Sequence, residues 1–124
     1  MFISSQYDPI GIEDTMGIHC MKSGKSGSTL SNCSDTNMNF INGYRNKFIQ
    51  DIQQLIKHNH SIWTISCCQH SYACYHNFYN VSSQKIPENT GSTVAEAIDR
   101  FVFHNERVVL VDQDPWPKNE PCAF

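Results

Sequence analysis

No stretch of about 18 consecutive apolar residues occurs in this 124-residue chain, which excludes a membrane-spanning helix. A basic excess is missing too. Nine Lys and Arg stand against 12 Asp and Glu, a net charge of −3, so no nucleic-acid surface is expected. The one basic hint, Lys22 and Lys25, lies in a Gly/Ser loop where solvation is the ordinary reading. Met1-Phe2-Ile3-Ser4-Ser5 is too short for the apolar core of a signal peptide. Internal repeats and low-complexity segments are absent. What remains is enough chain for one small domain with a marginal core.

What is present points to an oxidising compartment. Six cysteines occur, at Cys20, Cys33, Cys67, Cys68, Cys74 and Cys122. That is too few for a cysteine-stapled miniprotein and more than most cytosolic domains carry. Three N-glycosylation sequons begin at Asn32, Asn59 and Asn80. Each is weak alone; with the cysteines they favour a secreted, extracellular protein. A secretory composition with no leader raises the expectation that an N-terminal part is missing.

The hydrophobic pattern gives an α/β order. Met1-Phe2-Ile3 reads as the end of a buried strand that breaks at Tyr7-Asp8-Pro9, because a residue before proline avoids the helical region. Residues 17–36 read as loop, and a structureless loop of about 20 residues is unusual. A Cys20–Cys33 bridge would tame it, though spacing alone leaves the pairing open. Residues 37–57 form the best helix, with Phe40, Ile41, Tyr44, Phe48, Ile52, Leu55 and Ile56 on one stripe and Asp35 or Thr36 as cap. Residues 61–66 read as a strand and residues 67–91 as irregular. A second helix begins near Thr93, with Glu96 completing a capping box. The apolar run Arg107–Val111 reads as a strand covered on both faces. This alternation implies a mostly parallel sheet with flanking helices.

In open α/β sheets, sites form beyond the carboxyl ends of strands. Asp8 follows the first strand, and His70 follows the second by four residues. An acid followed by a histidine is the chain order of α/β-hydrolases, downstream of their serine. A serine hydroxyl needs a base to take its proton as it attacks. An imidazole does this near neutral pH, and a carboxylate on its other nitrogen fixes the tautomer. The plain alternatives are that Asp before Pro starts a turn and that a loop histidine is simply solvated.

Other constellations compete. Cys67, Cys68, His70, Cys74 and His76 offer sulfur and imidazole donors for zinc, but C-x2-H-x3-C-x-H is no standard knuckle, and disulfide use of some of these cysteines is the more ordinary reading. Trp63 and Trp116 could line a sugar site, with core packing expected for Trp63. Asp112, Asp114 and Glu120 could hold a cation or form a solvated chain end. The expectation is that no metal and no cofactor takes part.

Several segments together resemble a known family. Met1-Phe2-Ile3-Ser4-Ser5-Gln6-Tyr7-Asp8 resembles the "FFINSAYD" segment of plant pectin acetylesterases. Asn32-Cys33 followed by Phe40-Ile41-Asn42-Gly43-Tyr44-Arg45-Asn46 looks like their cysteine and "FLQGFRNQ" helix. Trp63-Thr64-Ile65-Ser66-Cys67-Cys68-Gln69-His70 is similar to "FINSCFAH", and Thr93-Val94-Ala95-Glu96-Ala97-Ile98 to "TIAEAV". Leu110-Val111-Asp112 and Pro115-Trp116-Pro117 resemble the "LVDSCPWP" of Notum, the animal relative. The segments are colinear over nearly the whole chain.

The resemblance to the pectin acetylesterase/Notum family implies the C-terminal portion, residues 1–124, of an α/β-hydrolase-like domain that is incomplete by itself. It implies a secreted carboxylic-ester hydrolase acting on acetylated polysaccharide or another acyl ester through a Ser-Asp-His triad. The family's acid falls on Asp8 and its base on His70. The Gly-x-Ser-x-Gly serine and the oxyanion donors would lie upstream, making the missing N-terminal half a partner, and no serine here replaces that nucleophile. A catalytically inactive truncated paralogue, serving as a binding or remnant domain, is the alternative. Three departures stand out: Ser71 replaces a cysteine after the histidine, Asp114 replaces the cysteine before Pro-Trp-Pro, and a further family cysteine falls near Asn119. They put the disulfide map of Cys67, Cys68, Cys74 and Cys122 in doubt. Residues 72–79 also depart, so a different substrate-side wall is expected.

Overall fold

Three short segments far apart in sequence form one parallel sheet in the computed structural model, which describes residues 1–24, 27–70, 85–87 and 91–118. β1 (Phe2–Ser5) and β5 (Val109–Val111) flank the central β4 (Ile62–Ile65). Phe2 lies beside Ile62 and Ser5 beside Ile65; on the other side Ile62 lies beside Val109 and Thr64 beside Val111. The central strand is buried throughout, and its β-branched and aromatic residues suit that place. The apolar run 107–111 is instead an edge strand with Val109 39% exposed, so it is not covered on both faces. A run of valines is compatible with either place, and only strand order decides between them.

Alternation along the strands separates two faces. Trp63 and Ile65 pack with Val94 and Ala97 of α2 (Val94–Phe103) and with Ile86, Cys67 and Val108. The opposite face meets α1 (Asp35–Lys57), where the Phe48 ring lies 6.3 Å from that of Phe2. The sheet is therefore flanked by helices, as expected of an α/β order. No helix among the described residues is long and apolar enough to cross a membrane.

Details of α1 differ from expectation. Ser34 is the N-cap, accepting from Asn37 N at 3.3 Å, one residue earlier than Asp35. This places Asp35 in the first turn, where its charge suits the helix dipole. The buried residues are Ile41, Arg45 and Ile52, whereas Phe40 is 63% exposed. At the far end Asn59 takes a left-handed φ of 62°, and the Ile56 carbonyl accepts from Asn59 N at 3.1 Å and from Arg107 Nη2 at 2.6 Å.

The loop before α1 contains a hairpin not visible in the sequence, β2 (Lys22–Gly24) against β3 (Gly27–Thr29). Cys20 and Cys33 are bridged across it. After Asp8-Pro9 the chain makes a single π turn, Gly11–Thr15. A Cβ at Gly11 would stand 2.8 Å from the Tyr44 hydroxyl, so a larger residue there would displace the end of that side chain.

The capping box on α2 is as expected: Thr93 Oγ1 accepts from Glu96 N at 3.2 Å, and Glu96 accepts from Thr93 N at 2.8 Å. That backbone bond, the leading cause, lowers the Glu96 pKa. Thr93→Ala removes one arm and is expected to cost about 1 kcal/mol. Urea unfolding of the variant checks this.

Candidate active site

The carboxyl ends of β1 and β4 are adjacent, and each continues into a short loop carrying one titratable residue. Asp8 lies three residues past β1 and His70 five past β4. His70 Nδ1 is 2.9 Å from Asp8 Oδ2 and 3.0 Å from Oδ1. The side chains are 44% and 29% exposed, respectively, so the contact is open to solvent. With Nδ1 engaged, Nε2 is the remaining ring nitrogen. Asp8 Oδ1 also accepts from Ile10 N at 2.9 Å. Asp8 thus does start a turn, as the plain reading has it, and that turn brings its carboxylate against His70.

The loops are anchored below this contact. Ser5 Oγ donates to the carbonyl of Cys67, and Tyr7 N donates to Ser5 Oγ at 3.1 Å. Tyr7, next to Asp8, is fully buried; its hydroxyl donates to Asn42 Oδ1 at 2.9 Å and accepts from Trp116 N at 3.0 Å. Burial raises its pKa above the ordinary phenol value, so it serves as a neutral bridge.

A polar group under the strand ends is the feature the sequence reading missed. Arg45, 8% exposed, donates from Nε to Gln6 Oε1 at 2.7 Å and from Nη2 to the Gln113 carbonyl at 3.0 Å. Gln6 Nε2 donates to the Asp112 carbonyl at 2.7 Å. Ser66 has no exposed surface, and its Oγ lies 2.8 Å from Gln6 Oε1 and against the Asp114 carbonyl, the two oxygens sharing its single proton. One signal was available: Arg45 falls four after Ile41 and three before Phe48, an inward slot on α1.

Asp112 is not part of a solvated chain end. It is 8% exposed, and its carboxylate accepts from Ser66 N and Asp114 N at 3.1 Å each. Burial raises its pKa above 3.8; those two bonds and Arg45 oppose the rise. A raised value means that the folded chain binds the proton more tightly than the unfolded one. Asp112's contribution to stability is therefore full below pH 3.8 and is lost as pH rises through the folded value. Asp112→Asn also loses an acceptor, so its Tm should be lower overall. The wild-type Tm minus the variant Tm should shrink as pH rises from about 3.8, where protonation differs between the two states. A difference that widens over that range would contradict this.

Of the zinc candidates, Cys67 is disulfide-bonded, which removes its sulfur from any donor set. Cys68 is buried; Cys74 and His76 lie outside the described residues, as do Ser71, Asn80, Glu120 and Cys122. Trp63 has no exposed surface and is core, whereas Trp116 is partly buried against the cluster of Tyr7, Ile12 and Leu30.

The Asp8–His70 contact stands at the carboxyl edge of a parallel sheet, where open α/β folds place their sites. The pectinacetylesterase family model matches residues 1–123, and the chain belongs to that family. No curated protein and no solved structure matches it.

Proposed function

We propose that this chain is the acid-and-base part of a carboxylic-ester hydrolase that removes acetyl groups from polysaccharide. The observation that carries the reading is the contact of Asp8 with His70 Nδ1 at 2.9 Å, beyond the ends of two adjacent parallel strands. In this reading residues 1–124 are the C-terminal portion of a larger α/β-hydrolase-like domain. A serine and oxyanion donors from outside these residues complete the site.

His70 Nε2 takes the serine proton as Oγ attacks the acetyl carbonyl. It then gives that proton to the leaving sugar oxygen, and the acetyl group stays on the serine. Water, deprotonated by the same nitrogen, releases acetate and restores the serine. Asp8 keeps the proton on Nδ1 and stabilises the imidazolium. Secretion and glycosylation belong to the same reading, supported by the bridged Cys20 and Cys33 and the bonded Cys67.

The test is acetate release from acetylated pectin by two proteins. The 124-residue chain alone should be inactive. A chain extended by its upstream coding sequence, including a Gly-x-Ser-x-Gly segment, should be active. Hydrolysis by the short chain that His70→Ala abolishes would overturn the assignment of the nucleophile. An upstream sequence with no such segment, or an extended chain that releases no acetate, would favour the inactive paralogue.

A further inference from the structure

We propose that Arg45 is a positioning residue that sets the Asp8–His70 contact by clamping the roots of both loops, an inference that rests on the reading of that pair as acid and base. Arg45 reaches residues from the ends of all three strands of the parallel sheet. Its Nε holds Gln6, two residues before Asp8. Its Nη2 lies 3.4 Å from Ser66 Oγ, four residues before His70. The same nitrogen meets the carbonyls of Asp112 and Gln113, just past β5, at 3.3 and 3.0 Å.

Burying a guanidinium is costly unless its donors are met. Among the described residues no carboxylate lies within ion-pairing distance of Arg45. Its charge is instead met by amide, hydroxyl and carbonyl oxygens and by the Tyr7 ring, whose centroid is 5.9 Å from the guanidinium carbon. An apolar residue would fill this slot on α1 more cheaply if packing were its whole role. What an apolar residue cannot do is fix three chain segments at once. Lysine cannot either, because the rigid guanidinium fork spreads its donors in fixed directions and an ammonium is a single point on a flexible stem.

Ser66 and Gln6 complete the clamp by bonding one another across β1 and β4. Asp8 lies two residues past Gln6 and His70 four past Ser66, so slack between Gln6 and Ser66 passes into their separation.

The experiment reads the tautomer of His70 in the full chain by two-dimensional ¹H–¹⁵N correlation of the ring. A carboxylate on Nδ1 holds the proton there. The wild type is expected to be mainly Nδ1–H, and Arg45→Lys to shift toward the Nε2–H form that a freed imidazole adopts. Ile52→Ala is the control: it opens a cavity under the same helix but touches none of the clamp, so it should lower Tm and leave the tautomer unchanged. If Arg45→Lys does not fold, Ser66→Ala, which removes one arm, is read the same way and should show a smaller shift in the same direction.

Three results would overturn the proposal: Nε2–H in the wild type, Nδ1–H retained in the clamp variants, or an equal shift in Ile52→Ala. The readout needs no ester. An extended enzyme that is inactive while its tautomer shows the full Arg45 dependence would therefore sink the proposed function and leave the clamp standing.

Discussion

His70→Ala in the serine-bearing enzyme is expected to lower kcat by about 10⁴-fold or more, with little change in Tm. The size follows from the proposed role: without that base, the serine would keep its proton, and only binding and the oxyanion donors would still accelerate the reaction. The small Tm change follows from exposure, since His70 has 44% of its side chain in solvent and substitutions at such places cost within about 0.5 kcal/mol. Asp8→Asn should cost about 10⁴-fold by a different route. The replacing amide can keep its oxygen on Ile10 N–H, where Asp8 Oδ1 now accepts. Its NH₂ group then faces Nδ1 and donates to it. The ring proton moves to Nε2, which can no longer accept from the serine. Steady-state kinetics on an aryl acetate, with Tm measured in parallel, checks both variants. Retention of a tenth of the activity by folded His70→Ala would remove His70 from the mechanism.

The second large effect falls on the fold. Trp63→Ala is expected to cost about 3–5 kcal/mol, close to the whole stability of a marginal domain of this kind. Trp63 has no exposed surface and stands in the central strand between its two parallel neighbours. Its ring fills the layer between β4 and Val94 and Ala97 of α2, and its Nε1 donates to the Ser92 carbonyl at 3.5 Å. Alanine leaves a cavity, while the Ser92 carbonyl keeps its bond from Ile86 N at 3.1 Å, so the cost is one of packing. Phe40→Ala is the contrast: this larger-to-small change at a site 63% exposed should move stability by no more than about 0.5 kcal/mol. Chemical unfolding of the pair measures the difference, and equal costs would contradict the placement of Trp63 in the core.

The main elements are legible in the sequence because their signals are local. The α1 stripe repeats at helical spacing over many residues, and Thr93 with Glu96 is a capping pattern confined to four positions. Features that neighbours decide are not legible there. Phe40 lies at helical spacing with the stripe, yet the buried centre of α1 is Ile41, Arg45 and Ile52. The β2–β3 hairpin is held by backbone bonds among glycines and serines and leaves no apolar alternation to read. Ser34 and Asp35 are both good caps, and one residue separates them.

The candidate site divides the same way. Asp8 and His70 were legible as residue types at strand ends, because proline forces a break and a parallel sheet puts loop residues at one edge. Their contact was not legible, since 61 residues intervene and the sequence holds no record of register. The register that seats Ser5 beside Ile65 is what brings the two loops together. The grouping of Arg45, Gln6, Ser66 and Asp112 belongs to the tertiary structure. The inward slot of Arg45 on α1 is a sequence signal, but its partners appear only where three strand ends and one helix converge. Burial then leaves their polar atoms no water, and they must satisfy one another. The sequence by itself determined the family, the α/β order and the two residues proposed for acid and base. Only the tertiary structure decided which strand lies at the centre, that the carboxylate meets Nδ1, and that a buried arginine ties together the ends of the strands beneath them. Local patterns follow from spacing along the chain, whereas these contacts depend on which distant segments share the same dry space.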